Sequence, residues 1–141
     1  MKKLFLMILL PSFLIMACNK EETIQPTDLP ADASSYITTH YAGQQILQVV
    51  KERDDLRLYY FVYLNNGTKL EFNREGEIRE IEGSTAIPAT ALPVLIVSYV
   101  ETNYPGTFIK AWQIDDTSQD VELSNNSRLE FDKNGNFLRV E

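Results

Sequence analysis

Leu64-Asn65-Asn66-Gly67-Thr68-Lys69-Leu70-Glu71-Phe72-Asn73-Arg74-Glu75-Gly76-Glu77-Ile78 reads as strand, tight turn, strand, tight turn, strand. The same grammar returns as Leu123-Ser124-Asn125-Asn126-Ser127-Arg128-Leu129-Glu130-Phe131-Asp132-Lys133-Asn134-Gly135-Asn136-Phe137. Leu70-Glu71-Phe72 falls over Leu129-Glu130-Phe131, and Gly76 over Gly135, at a single offset of 59 residues. Asn66-Gly67 is a strong hairpin signal, because a type I′ turn needs positive φ at both central residues. Asn125-Asn126 is a weaker form of the same turn. An internal repeat of this kind decides the architecture before any single residue suggests chemistry.

Working outward, each copy is preceded by a helix. Thr27-Asp28-Leu29-Pro30 opens the first, with Thr27 as N-cap and Pro30 in the first turn, where a missing N–H costs nothing. Leu29, Ala33, Tyr36, Ile37 and Tyr41 then recur at helical spacing, and Ala42-Gly43 ends the run. The second copy repeats this at an offset of 63, with Thr90 over Thr27 and Pro93 over Pro30. Its stripe is Leu92, Leu95, Ile96, Tyr99, Val100 and Tyr104, stopped by Pro105-Gly106. Strands are expected at 45–52, 57–64, 68–73 and 77–82 in unit one. In unit two they fall at 107–114, 119–124, 127–132 and 136–140. The fall in offset from 63 to 59 places a four-residue loss near Asp115-Asp116, in the first hairpin loop of unit two.

The expected fold class is therefore α+β. Two tandem helix-plus-four-strand repeats, 28–83 and 84–141, form one antiparallel sheet with both helices on one face. Neither unit of under 60 residues has enough core to stand alone.

The N-terminus is an address. Residues 1–17 carry a basic start, a short apolar core and Ala17 before the cut, the pattern of a secretory signal peptide. The apolar run is too short to span a bilayer, which takes about 20 residues. Cys18, the only cysteine, follows Leu14-Ile15-Met16-Ala17, which resembles the bacterial lipobox. A cysteine so placed is the expected lipid attachment site, and its three acyl chains exceed the two signals that stable anchoring needs. Asn19-Lys20-Glu21-Glu22 resembles the short export signal of surface lipoproteins. The expected location is thus the outer membrane, surface-exposed or facing the periplasm, with residues 18–27 as a flexible tether.

Charge narrows the partners. The net charge is −7; losing residues 1–17 removes Lys2 and Lys3 and no acid, leaving 11 basic and 20 acidic residues, or −9. That excess argues against nucleic acid and against basic-patch docking on anionic lipid. One cysteine allows no intrachain disulfide and no thiolate metal cluster.

No reaction is legible. His40, the only histidine, reads as a surface residue near a helix C-terminus and has no nucleophile or orienting group beside it. Asp115, Asp116, Asp120 and Glu122 read as solvated acids around a hairpin loop, without the pattern of a calcium loop. Asp132-Lys133-Asn134-Gly135-Asn136 looks like the start of such a loop. A turn shared with Asn73-Arg74-Glu75-Gly76-Glu77 explains it better. No enzyme, no cofactor and no metal site are expected.

The strand at 57–64 is the exception to ordinary patterning. Leu58, Tyr60, Val62 and Leu64 share one face, and Tyr59, Phe61 and Tyr63 share the other. The aliphatic set suits the helix-covered side, which leaves the three rings toward the open side. Trp112, alternating with Ala111 and Gln113, is expected to join them as a binding face. The opposite assignment, in which this is the packed side or Lys and Arg stems cover the rings, stays open.

Two copies of helix, Tyr-(Pro/Ala)-Gly, strands and a turn-Leu-Glu-Phe-x-x-x-Gly hairpin, behind a lipoprotein signal, resemble the PepSY-like, β-lactamase-inhibitor-protein-like lipoproteins of Bacteroidota. The resemblance covers residues 28–141 and departs from the family pattern at Ala42 and Asn126, which touch turn geometry only. It implies a non-enzymatic domain that binds or inhibits a protein or peptide. A carrier or sensor of a small ligand held between helices and sheet is the alternative.

Overall fold

A computed structural model of the chain describes residues 20–54 and 56–141. The signal segment and Cys18 lie outside the described residues. The elements run β1 (Lys20–Ile24), a 3-10 turn (Pro26–Asp28), α1 (Ala31–His40), β2 (Ile46–Arg53), β3 (Leu58–Leu64), β4 (Lys69–Asn73) and β5 (Ile78–Glu82). A second 3-10 turn (Ala89–Ala91) leads into α2 (Val94–Asn103), β6 (Ile109–Ile114), β7 (Ser118–Leu123), β8 (Arg128–Asp132) and β9 (Phe137–Val140). The strands form a single antiparallel sheet in chain order, β1 to β9. The two units meet where β5 pairs with β6, Ile81 opposite Trp112.

The repeat holds to the level of backbone angles. Tyr41 and Tyr104 end the helices at φ −126° and −129°. Gly76 and Gly135 take φ of 92° and 88° in equivalent turns. Glycine is required at Gly76 by space as well, because a Cβ there would lie 2.8 Å from Pro30 Cβ. Asn126 stands where unit one has Gly67 and is the one non-glycine with positive φ among the described residues, at 67°. Each unit also carries two register shifts at equivalent positions, 46/48 with 109/111 and 71/72 with 130/131.

The core lies between the helices and one face of the sheet. Phe72 and Phe131, at equivalent positions, are fully buried together with Leu70, Ile81, Ile96, Leu123 and Leu129. Full burial of such a side chain contributes about 1.5–3 kcal/mol. Tyr36 on α1 meets the Phe72 ring edge-on at 5.7 Å, and Tyr99 on α2 meets Phe131 at 5.4 Å. The Tyr36 hydroxyl donates to the Ala91 carbonyl at 2.7 Å, tying unit one to the second 3-10 turn.

Five expectations are corrected. The type I′ turn expected at Asn66-Gly67 is instead a turn over residues 64–67, closed by the Gly67 N–H donating to the Leu64 carbonyl at 3.1 Å, with positive φ at Gly67 and not at Asn66. The tether expected over 18–27 gives way to structure from Lys20 onward, since Lys20–Ile24 pairs with Arg53–Val49 as a ninth, unexpected strand. Its Lys-Glu-Glu-Thr composition hides it from a search for apolar alternation, yet charge is how sheet edges are protected from further pairing. Thr27 is not the N-cap of α1: it sits in the 3-10 turn, and α1 starts after Pro30. Proline disfavours helical angles at the residue before it, and Leu29 is accordingly extended at ψ 148°. His40 is half-buried rather than on the surface, its ring 4.5 Å from Tyr36. The last correction, at Trp112, bears on the candidate site.

Candidate interaction face

The side of the sheet away from the helices is built from alternate residues of every strand. Tyr59, Phe61 and Tyr63 stand on it, while Tyr60, Val62 and Leu64 are buried beneath the helices. The strand rule therefore holds for β3. The rings are only partly bare. Tyr59 and Phe61 are half-buried, Tyr63 is 37% exposed, and the Lys69 ammonium sits 5.4 Å from the centre of the Phe61 ring.

Trp112 does not join them. It is 4% exposed and belongs to the core, on the helix side of the sheet. The cause is the register shift between Ile109 and Ala111, a bulge at Lys110. One extra residue breaks the two-residue period, so Ile109 and Trp112, three apart, point to the same face. The buried indole N–H donates to Gln119 Oε1 at 3.0 Å, and the Gln119 amide donates to the Asp132 and Lys133 carbonyls at 3.2 and 3.1 Å. Gln119, 2% exposed, is thereby satisfied in the core.

Strand pairing draws one continuous row across the open face: Thr23, Val50, Phe61, Glu71, Glu80, Gln113, Asp120, Glu130 and Arg139 are successive cross-strand neighbours. The row beside it is Gln48, Tyr63, Lys69, Glu82, Ala111, Glu122 and Arg128. The face is thus divided, aromatic over β3 and rich in carboxylates from β4 to β8. At the repeat offset of 59, Phe61 corresponds to Asp120 and Tyr63 to Glu122. One scaffold position carries a ring in unit one and an acid in unit two.

The cations on this face are already engaged. Lys69 pairs with Glu82 at 3.6 Å, Lys110 with Glu122 at 2.9 Å, Arg128 with Glu122 at 3.5 Å and Arg139 with Glu130 at 2.6 Å. Among the described residues, no Lys or Arg lies within ion-pair distance of Glu71, Glu80 or Asp120. Asp120 accepts a hydrogen bond from the Gln113 amide at 3.1 Å. Glu71 and Glu80 stand directly opposite each other. Burial, then hydrogen bonding with the Glu82 and Glu71 carboxyls, pushes the Glu80 carboxyl up to about 7, against the pull of Lys69.

A groove of about 160 Å³ opens on the acidic half, with Glu80, Glu82, Asp120, Glu122 and Glu141 along its walls, Arg128 beside Glu122 and Ala111 between them. A second groove, about 140 Å³, lies beside α2 against Leu92, Val97 and Phe108. Both are smaller than the roughly 300–1,000 Å³ typical of small-molecule sites. No group of three His, Cys, Asp or Glu among the described residues is placed to hold a metal ion. Asp132 Oδ1 accepts the Asn134 and Asn136 N–H groups at 2.9 Å, as Asn73 Oδ1 accepts those of Glu75 and Glu77 at 3.1 and 2.9 Å. The loop resembling a calcium site is therefore the shared turn. Asp115 is likewise occupied, its carboxylate held below the usual range by the N–H groups of Thr117 and Ser118.

The carboxylate row is a feature that the residue order alone does not display, since Asp120 and Glu122 read there as loop acids. The signal available was the repeat itself, which sets those two residues over Phe61 and Tyr63 and so onto a strand.

The fold and face define an α+β domain of two helix-plus-four-strand units presenting one uncovered sheet surface. The family model described as "Putative beta-lactamase-inhibitor-like, PepSY-like" matches residues 15–59 and 58–139, and the chain belongs to that PepSY-like family. Among solved structures, a "putative calcium-regulated periplasmic protein" from Bacteroides thetaiotaomicron is similar at 31% identity and TM-score 0.82, covering 86% of this chain and 96% of that one. Two proteins from Bacteroides vulgatus ATCC 8482, described as periplasmic, are similar at 31% and 27% identity, each with TM-score 0.81. They cover 86% of this chain and 96% and 99% of their own. A comparison with curated proteins found no match.

Proposed function

We propose that this is a lipid-anchored, non-enzymatic binding protein of the cell envelope that engages a protein or peptide partner through the open face of its sheet. The observation that carries this reading is Tyr59, Phe61 and Tyr63 on the uncovered side of β3, since aromatic residues dominate interface hot spots. The periplasmic description of the similar structures supports an envelope location. The lipobox supports anchoring at Cys18. β1 starts two residues after Cys18, so a lipid there would hold the sheet edge within about 7 Å of chain from the bilayer. A small-ligand carrier is less well supported, because the helix–sheet interior is filled by the core.

The test uses the full-length, processed protein as bait in native membranes. Cys18→Ser should abolish acyl labelling. Phe61→Ala should weaken capture of the recovered partner by about 2 kcal/mol or more while leaving the fold intact. Unchanged acyl labelling would remove the anchor, and capture indifferent to Phe61 would remove the face.

A further inference from the structure

The acidic half of the open face suits one kind of partner. Glu71, Glu80, Gln113 and Asp120 sit side by side on four adjacent strands. At about 4.8 Å between strands, they form a strip roughly 14 Å long. Glu71 and Glu80 stand directly opposite each other, and like charges so placed destabilise a sheet once both are ionised. Lys69 offsets only part of this effect, and Lys69, Lys110, Arg128 and Arg139 are themselves paired with Glu82, Glu122 and Glu130. Ala111 stands between Glu82 and Glu122 in the adjacent row, and its short side chain leaves the groove between longer acidic neighbours. Directly beside this strip, on β3, stand the three rings.

We infer that the open face docks a basic segment of a partner protein, with a Lys or Arg side chain seated in the groove over Ala111 between Glu80, Glu82, Asp120 and Glu122, and with the segment's apolar residues on Tyr59, Phe61 and Tyr63. This rests on the reading of the open face as the binding surface and adds the chemistry of the partner. Charge complementarity is the argument: three carboxylates without a cationic partner of their own lie on a chain of net −9 after loss of residues 1–17. Such complementarity sets specificity and association rate. A divalent cation fits less well, because no three ligand groups converge among the described residues.

The experiment titrates the whole processed protein with a short peptide alternating Arg and Leu, and with the same peptide carrying Glu for Arg. Binding is read by calorimetry and by emission from Trp112, the single tryptophan, which borders the groove from below. The Arg peptide should bind and the Glu peptide should not. Glu80→Gln combined with Asp120→Asn should weaken binding about tenfold or more. Glu101→Gln, an exposed acid on α2, should change it less than about twofold. Cooperative melting curves, with midpoints well above the binding temperature, establish that the variants are folded.

If Phe61→Ala weakens binding while the carboxylate pair does not, the face binds but the partner is not basic, and this inference falls alone. If neither change matters, both readings fall. If calcium chloride alone shifts Trp112 emission, depends on Glu80 and Asp120, and displaces the peptide, the carboxylates belong to a metal and the inference is overturned.

Discussion

Unit one and unit two share a backbone and differ in what they show to solvent. Their core positions correspond: buried Phe72 with Phe131 and Leu64 with Leu123, and half-buried Tyr36 with Tyr99 packed against them. On the open face the correspondence fails, Phe61 against Asp120 and Tyr63 against Glu122. The core has to fill the same space under each helix, so its residues stay alike in size and chemistry. The open face answers no such packing demand, and there the two copies are free to become complementary halves of one surface.

The severest test separates the units. Cutting between β5 and β6 exposes Ile81 and Trp112 and leaves two unpaired edges at a seam that is closed in the whole chain. Residues 20–83 alone are expected to aggregate or to melt without a cooperative transition. A monomeric fragment with a sharp melt would show that the repeats are independent domains.

Next in size is a pair of ring deletions on opposite faces. Trp112→Ala removes a buried indole and orphans Gln119, and should cost about 3–5 kcal/mol in urea denaturation. Phe61→Ala, on the open side under Lys69, should cost about 1 kcal/mol or less. Equal losses would mean that the face carrying Tyr59, Phe61 and Tyr63 is packed rather than open.

The smallest effect is a pH dependence confined to the acidic half. Glu80 has a folded value of about 7, above its ordinary 4.5. Such a group contributes stability that is fully present below 4.5 and is lost as pH rises through about 7. The native protein should therefore lose ground against Glu80→Gln between those limits. Solvent screens this half-buried group, so the difference should be no more than about 1 kcal/mol. Unfolding curves of both proteins across that range check it, and a constant gap would remove Glu80 from its carboxylate cluster.

The hairpin positions and the repeat were legible from the amino-acid order, because each depends on a few adjacent residues; the turn type was not, since Gly67 but not Asn66 takes positive φ. Asn66-Gly67 and Gly76 mark hairpins wherever they occur, and the offsets of 63 and 59 carry the pattern into unit two. With helical spacing in both stripes, these gave two helices, eight strands and the one-sided sheet. That Tyr59, Phe61 and Tyr63 share one face followed from strict alternation along an unbroken strand; that this face is the open one was decided by the helices, which cover Tyr60, Val62 and Leu64.

What tertiary structure decided was everything that depends on pairing between distant segments. The bulge at Lys110 turned Trp112 inward, and nothing in Ile109-Lys110-Ala111-Trp112 announces it. The pairing of Lys20–Ile24 with β2 turned an apparent tether into an edge strand, held by backbone hydrogen bonds that charged side chains do not reveal. The row from Phe61 to Arg139 exists only because strands far apart in the chain are locked in register. Local rules set which residues alternate; only the assembled sheet sets which of them become neighbours.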